Sequence, residues 1–153
     1  MNSFEDIAST AQEARENSVG WMLKVLSNTM STEMNRELKH LDLNVSQFAM
    51  LMSLSEQQGM TQTEIGKKIA MPGYATTRAI DSLEKNGYVK RQKDERSRRS
   101  HRIYLTERSI DVIPELNDIR HKLNGELLSV FTETEREEFT DLLKKLVAFK
   151  LSD

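Results

Sequence analysis

A run of positive charge between residues 85 and 102 stands out in this sequence. It contains eight Lys or Arg residues and two acidic ones, a local charge of +6 in a chain of 153 residues whose net charge is −2. Because the rest of the chain is acidic, such a run can bind phosphates while the body of the protein repels non-specific contact. A basic run can equally be a solvated surface, so the elements around it decide between the two interpretations.

Period-two alternation on both sides of the centre of this run predicts a β-hairpin. Residues 88–93 and 102–105 are expected to form its two strands, with residues 94–101 as a charged loop between them. A basic loop at the end of a two-stranded ribbon can reach past the major groove of DNA to the next minor groove. The position of the charge therefore favours contact with DNA over a plain solvated surface.

Four residues of the predicted loop are candidates for the DNA contact. Arg96 lies near the tip, where an arginine can enter the narrow, electronegative minor groove. Asp94 is expected to hydrogen-bond the Arg96 guanidinium and to hold it extended. Arg98 and Arg99 are further candidates, and their alternative role is to pair with nearby acids.

The segment before the hairpin predicts a helix-turn-helix. A helix capped by Ser46, a short helix opened by the capping-box pair Thr61 and Glu64, and a helix over residues 74–85 follow one another, with a break at Pro72-Gly73. Two helices joined by a few residues suit a helix-turn-helix, which places its second helix in the major groove of DNA.

The N-terminal half of that second helix supplies the candidates for base contact. They are four residues with hydroxyl or guanidinium groups: Tyr74, Thr76, Thr77 and Arg78. A threonine can meet a thymine methyl or a base edge, and an arginine can fork onto guanine. The alternatives stay open for three of them. Thr76 can turn inward, Tyr74 can pack on the turn, and Arg78 can pair with Asp81 or Glu84.

Long helices with apolar stripes are expected on both sides of this central unit. The first is predicted over residues 9–39, the fifth over residues 107–130 with Pro114 as a kink, and the sixth after a capping box at Thr132 and Glu135. Their apolar faces are wide and lie far apart in sequence. We therefore expect these helices to pack together and against a second copy of the chain as an isologous dimer.

Other classes of protein find little support in the composition. The chain has no cysteine, which excludes disulfides, thiolate zinc sites and cysteine-based redox sensing. Its three histidines lack paired metal spacing, and no nucleophile motif or phosphate loop is present, so we expect no metal, no cofactor and no enzymatic activity. No membrane span or signal peptide is recognisable, which favours the cytoplasm. Trp21 and the eight methionines fit a core or interface, or alternatively a ligand pocket.

Three segments of the chain resemble the MarR family, the multiple antibiotic resistance regulators. Residues 94–106, DERSRRSHRIYLT, look like the wing signature of that family. Residues 77–89, TRAIDSLEKNGYV, resemble its recognition helix and first wing strand, and residues 61–65, TQTEI, resemble the preceding helix. The order and length of the predicted helices fit the family over most of the chain.

The resemblance implies a homodimer whose first, fifth and sixth helices form the dimer body. It also implies binding to a pseudo-palindromic operator, commonly as a repressor that a small ligand releases. In this sequence Asp94 and Arg96 match the wing pair, and Arg78 matches the recognition-helix arginine. Residues 72–75 depart from the family by having fewer hydrogen-bonding side chains. Ser109 stands where the family usually has glycine, and we expect it to be accommodated as an early helix residue.

Together these observations predict a mainly α-helical protein with a small β-hairpin wing. We expect one domain over residues 1–153, with a winged helix-turn-helix over residues 45–106 and a helical dimerisation region over residues 9–41 and 107–151. The expected partners are double-stranded DNA, a second copy of the chain and a small, aromatic effector whose binding residues the sequence does not identify. The alternative is a winged-helix interaction module whose basic hairpin binds an acidic protein.

Overall fold

Seven α-helices and a three-stranded antiparallel sheet form the part of the chain described by the computed structural model, which is residues 3–152, with Arg98 described by its backbone alone. Single turns of 3-10 helix follow the second and sixth helices. The mainly α-helical fold with a hairpin wing, expected from the sequence, is confirmed. The elements in chain order are α1 (Phe4–Glu16), α2 (Val19–Leu38), α3 (Val45–Glu56), β1 (Met60–Thr61), α4 (Gln62–Lys68), α5 (Gly73–Lys85), β2 (Val89–Asp94), β3 (Ser97–Leu105), α6 (Glu107–Leu127) and α7 (Glu133–Leu151).

The first predicted helix, residues 9–39, is wrong as a single element, because the chain forms α1 and α2 with a break at Asn17 and Ser18. Ser18 has extended backbone, and its hydroxyl accepts the backbone N–H of Trp21. A serine that satisfies a free N–H in this way starts a new helix. The apolar stripe begins only at Val19, and the polar pair Asn17-Ser18 before it is the signal of the break that the prediction missed.

The start of α3 is also corrected. Asn44 caps this helix, not Ser46, and it forms a capping box with Gln47 in which each side chain bonds the other's backbone N–H. At the next helix the predicted capping box is confirmed: Thr61 caps α4, and Glu64 returns the hydrogen bond. Both helices are thus held at their first turn by reciprocal polar contacts.

The hairpin is longer and its turn is shorter than predicted. Residues 94–101 do not form a loop, because β3 begins at Ser97 and Asp94 pairs with Ser97 across a turn made by Glu95 and Arg96. An irregularity of register between Lys93 and Asp94 absorbs the extra residues of β3. The outer part of β3 could not be predicted, because both faces of the strand are polar there and the sequence shows no apolar alternation. The short strand β1, which pairs with β3, was not predicted.

The apolar core lies between the winged helix-turn-helix, the C-terminal end of α2 and the middle of α6. Helices α3, α4 and α5 contribute its centre, and the base of the hairpin closes it with Val89, Ile103 and Leu105. Tyr88 is fully buried, and its hydroxyl donates to the Leu41 carbonyl at 2.7 Å, which satisfies the polar group inside the core. By contrast, none of the described residues of α1 or α7 is buried in the protomer.

None of the helices within residues 3–152 combines the length and the apolar character needed to cross a membrane.

Helices α4 and α5 approach each other closely at Gly66. A Cβ atom at this position would lie 2.9 Å from the Thr76 hydroxyl oxygen and 3.2 Å from the Met71 carbonyl oxygen. Backbone and a buried hydroxyl cannot move aside easily, so the approach of the two helices depends on the absence of a side chain. Gly125 in α6 has no atom within 4 Å of such a Cβ and offers a matched control.

We expect Gly66→Ala to lower the free energy of unfolding by ~1–3 kcal/mol through overpacking. Gly125→Ala should raise it by ~0.5–1 kcal/mol, because alanine restricts the unfolded chain and favours helix. Urea unfolding at one protein concentration, followed by circular dichroism, measures both. Equal stabilisation by the two substitutions would contradict the close approach of α4 and α5.

Candidate nucleic-acid interface

Helices α4 and α5 form the helix-turn-helix, and the turn between them is held by backbone hydrogen bonds. Ala70 has a positive φ of 53°, and the next N–H, that of Met71, donates to the Gly66 carbonyl at 2.8 Å. Pro72 precedes α5, and its carbonyl accepts the Thr76 N–H at 2.9 Å, which begins the helix. The turn therefore fixes the direction in which α5 leaves α4.

Thr76 faces the protein interior, so its expected place among the base-contacting residues is corrected. Its side chain is 1% exposed, and its hydroxyl donates to the Pro72 carbonyl at 3.0 Å. The contact with Gly66 brings this residue to the inner side of α5, as the alternative interpretation of the sequence allowed. The hydroxyl is used to hold the turn and is not available to DNA.

The other three candidates lie on or beside the outer face of α5. Tyr74 is 73% exposed, and Arg78 is exposed one turn further along. Thr77 is half-buried, with its hydroxyl donating to the Gly73 carbonyl at 2.9 Å and accepting a hydrogen bond from Gln62 of α4. Gln62 was not recognised in the sequence, and only its position at the start of the preceding helix could have indicated it.

Arg91 binds the two carboxylates that were considered as partners of Arg78. Its guanidinium contacts Asp81 at 2.5 Å and also contacts Glu84, and its backbone N–H donates to Glu84 Oε1 at 3.1 Å. Both acids belong to α5, whereas Arg91 belongs to β2. These contacts tie the helix to the hairpin, and they occupy the acids that would otherwise neutralise Arg78.

Asp94 lies at the end of β2 and organises the turn of the hairpin. Its Oδ1 atom accepts the Arg96 backbone N–H at 3.0 Å, and its Oδ2 atom lies 3.2 Å from Nη2 of Arg102. The predicted bond from Asp94 to the Arg96 guanidinium is therefore corrected: the carboxylate holds the backbone of Arg96 and leaves its side chain exposed. The Ser100 hydroxyl also donates to Oδ2, at 3.4 Å.

The same contacts keep the Asp94 carboxylate charged. The Arg96 N–H first, and then the Arg102 guanidinium, hold the pKa of Asp94 below its ordinary value against the opposing effect of burial. At neutral pH the group is ionised and acts only as an acceptor. It can thus bind the backbone N–H and the guanidinium at the same time.

The charge available for phosphate contact is smaller than the sequence count suggested. Arg91 and Arg102 are used in ion pairs with Asp81, Glu84 and Asp94. The side chain of Arg98, a predicted wing residue, lies outside the described residues, while Arg99 is exposed on β3. The exposed basic side chains of the run are Lys85, Lys90, Lys93, Arg96 and Arg99.

Among the residues that the structure describes, no group of three or more His, Asp or Glu side chains could hold a metal ion.

Comparison with known proteins identifies the arrangement. The profile of the MarR family matches residues 43–101. A MarR transcriptional regulator from Methanosarcina mazei Go1 has the same fold, with a TM-score of 0.83 and 28% identity over 87% of this chain and 96% of that chain. The chain is therefore similar to MarR-type regulators, in sequence over its winged helix-turn-helix and in fold over most of its length. Members of the family are transcriptional regulators, so the expectation that the protein is not an enzyme is confirmed.

Two further transcriptional regulators are similar to this chain over most of their length. The transcriptional regulator SlyA has a TM-score of 0.83 at 26% identity, over 90% of this chain and 96% of that chain. The HTH-type transcriptional regulator YybA of Bacillus subtilis is 27% identical over 122 residues, which cover 80% of this chain and 81% of YybA. The chain is a MarR-type transcriptional regulator built on a winged helix-turn-helix.

Ser109, which stands where the MarR family usually has glycine, is buried in the first turn of α6. Its hydroxyl donates to the Tyr88 carbonyl, which also accepts the Thr106 N–H at 3.2 Å. The serine is therefore accommodated early in the helix, and it adds a polar contact between α6 and the start of the hairpin.

Proposed function

We propose that this MarR-type protein is a homodimeric repressor that binds a pseudo-palindromic operator and that a small aromatic ligand releases. In this proposal the winged helix-turn-helix over residues 45–106 contacts DNA in the cytoplasm. Residues 9–41 and 107–151 form the dimerisation region. The observation that carries the proposal is that Arg91 of β2 binds Asp81 and Glu84 of α5, which ties the hairpin with its exposed tip to the helix with its exposed outer face.

The first step is the contact of α5 with the major groove. Tyr74 and Arg78 are both exposed, and the two carboxylates further along α5, Asp81 and Glu84, are bound by Arg91. A guanidinium in this setting can donate two hydrogen bonds to guanine O6 and N7. The Thr77 hydroxyl is already bonded to Gly73 and Gln62, so we assign this residue a contact through its methyl group with a thymine methyl.

The second step is the contact of the wing with the adjacent minor groove. Arg96 lies in the two-residue turn between β2 and β3, and Asp94 fixes its backbone while its guanidinium stays exposed. Arginine is attracted by the negative potential of a narrow minor groove. Lys93 and Arg99 lie on the same hairpin, where they can contact flanking phosphates, and we assign Arg98 the same role.

We expect Arg96→Ala to cost ~1–3 kcal/mol of operator affinity per half-site, because a minor-groove contact is lost. Asp94→Ala should also weaken binding, although it removes a negative charge next to DNA. The matched control is Glu95→Ala, which removes the same charge from the same turn and should bind DNA equally well or more tightly. Arg78→Ala should lose affinity and also relax the sequence preference.

The measurement is fluorescence anisotropy on a duplex selected from a random pool with the purified parent, and on a scrambled duplex, at two salt concentrations. A steep salt dependence and resistance to competitor DNA are expected for the parent. Asp94→Ala binding as tightly as Glu95→Ala would contradict the wing contact. If no duplex is enriched from the random pool and the parent instead binds an acidic protein tightly, the result would support the alternative of a protein-interaction module.

The third step is dimerisation through the terminal helices. Large apolar side chains on α1, α2 and α7 are exposed in the protomer, which is an expensive arrangement in water unless a partner covers them. The most prominent are Phe4, Ile7, Val19, Trp21, Leu142, Leu146, Val147 and Phe149. A second copy of the chain would also present two helices α5 to two half-sites.

Light scattering after size exclusion should give twice the 17.6 kDa mass of the chain. Leu142→Lys on α7 should shift the mass towards the monomer at micromolar concentration. Tyr74→Lys on α5 lies outside the dimerisation region, changes a side chain of at least comparable exposure, 73% against 59%, and should leave the dimer intact. A monomeric parent would contradict the dimer, and an equal response of the two variants would contradict its assignment to α7.

The fourth step is release by a ligand, for which one apolar cleft is suited. It has a volume of about 490 Å³ and lies between α2, α6 and α7. Ligand pockets commonly enclose ~300–1,000 Å³ and have mainly apolar walls. Its lining includes Leu26, Met30, Met34, Leu127, Phe139 and Leu143. Met30 and Met34 fit the pocket interpretation of the methionines, while Trp21 lies exposed on α2 outside this lining.

A thermal-shift screen of small aromatic acids tests the cleft, because a ligand that binds the folded state raises its melting temperature. Met30→Trp should abolish the shift by filling the cleft. Met22→Trp, on the same helix but outside the lining, should keep it. A shift that persists in Met30→Trp would exclude this cleft, and the absence of any shift in the parent would remove the support for an aromatic effector.

A further inference from the structure

The Arg102 guanidinium joins two parts of the chain that are distant in sequence. Its Nη2 atom lies 3.2 Å from Asp94 Oδ2, and its Nη1 atom donates to the Gly59 carbonyl at 2.7 Å. The side chain is 31% exposed, whereas that of Asp94 is 8% exposed. A planar guanidinium can direct two N–H groups at two fixed acceptors, which the single ammonium of a lysine does less well.

The Gly59 end of this contact is firmly attached to the sheet. Gly59 has a positive φ of 74°, and its N–H donates to the Ile103 carbonyl at 3.0 Å. The Tyr104 ring occupies the space beside it, with its hydroxyl 2.9 Å from where a Cβ would lie. Gln58 accepts the Leu105 N–H at 3.0 Å. The turn before β1 therefore offers Arg102 a rigid acceptor.

That turn leads directly into the helix-turn-helix. Thr61 pairs with Arg102 in the sheet and caps α4 together with Glu64. The field of Arg102 also reaches this cap: it adds to the Thr61 N–H and hydroxyl, the main causes, in lowering the pKa of Glu64 against burial. Arg102 thus lies between the first turn of α4 and the outer end of the hairpin.

The Asp94 end leads to the tip of the hairpin. The carboxylate that Arg102 holds through Oδ2 accepts the Arg96 N–H through Oδ1. The contacts form one continuous series, from the Gly59 carbonyl through Arg102 and Asp94 to the backbone of Arg96. Since the charge of Arg102 is balanced by Asp94, its own attraction for phosphate is small.

We propose that Arg102 is a positioning residue that holds the wing tip against the start of the helix-turn-helix and acts on DNA through Asp94 and Arg96. The proposal rests on the proposed DNA-binding function. It gives Arg102 a structural role in that function, although the charge of this residue alone would suggest a direct phosphate contact. A phosphate-contacting residue acts independently of the tip. A positioning residue has an effect only while the tip residue is present.

A double-mutant cycle separates the two roles. Arg102→Ala should weaken binding to the selected duplex roughly tenfold, the scale of one charge-assisted hydrogen bond. In the Arg96→Ala background the same substitution should have almost no further effect. Lys93→Ala, which removes one exposed positive charge from the same hairpin, should lower affinity equally in both backgrounds and reduce the salt slope.

Arg102→Lys provides the second variant, because it keeps the positive charge and disturbs the fold less than Arg102→Ala. Positioning predicts that lysine fails to restore affinity, since it cannot replace both directed N–H groups. Restoration of the parent affinity by Arg102→Lys, or an equal effect of Arg102→Ala with and without Arg96, would overturn the proposal.

A measurement without DNA keeps the proposal separate from the function on which it rests. The hydrogen-exchange rate of the Arg96 amide, followed by NMR, should rise severalfold in Arg102→Ala and Arg102→Lys and stay unchanged in Lys93→Ala. An unchanged rate in both Arg102 variants would refute the positioning role even if the parent binds DNA. Raised rates in both Arg102 variants, together with a parent that binds no duplex, would support the positioning role and reject the DNA-binding function.

Discussion

The attachment of a charged hairpin to the helix-turn-helix is the constraint on which the remaining structure depends. The outer part of the hairpin has four exposed basic side chains, Lys90, Lys93, Arg96 and Arg99, and offers no apolar surface to hold it. Val89, Ile103 and Leu105 anchor only its base. Ion pairs of Arg91 with α5, and of Arg102 with Asp94, supply the directed contacts that apolar burial cannot provide.

These contacts also explain how a mildly acidic protein can present a basic surface. Acids next to the run are bound by Arg91 and Arg102, which lie within the structure and are partly shielded. The basic side chains that remain are exposed and outnumber the one exposed acid of the hairpin turn, Glu95, so the net field of this surface is positive. At the opposite end, apolar residues of α1, α2 and α7 stay exposed in the protomer, and a second copy would bury them and fix the spacing of two α5 helices.

Much of this architecture could be predicted from local patterns in the sequence. The capping box at Thr61 and Glu64, the break at Pro72-Gly73 and the alternation near Ile103 each indicated the correct element. The break at Ser18 was missed, because the polar residues before the apolar stripe, which begins at Val19, were assigned to the same helix. The outer hairpin was taken for a loop because both faces of its strands are polar.

The types of residue at the site could be predicted from the sequence, whereas the directions of their side chains and their partners were harder to predict. Tyr74 and Arg78 lie exposed on α5 as expected, but Thr76 points inward. Its side chain contacts Gly66 of α4, and a contact between two helices depends on their packing, which local sequence patterns do not show. The pairing of Asp94 was also misjudged. Its partners, the Arg96 backbone and Arg102, follow from the register of β2 and β3, which the sequence did not reveal.

In the function that we propose, α5 and the wing contact two adjacent grooves of DNA as one unit, twice per dimer. Footprinting of the selected duplex with dimethyl sulfate, which reports guanine N7 in the major groove, and with hydroxyl radicals, which report the minor-groove edge, tests this most directly. We predict two protected major-groove segments ~10 base pairs apart, each with a protected minor-groove segment on its outer side. Major-groove protection without these flanks, or a single unrepeated footprint, would contradict the account.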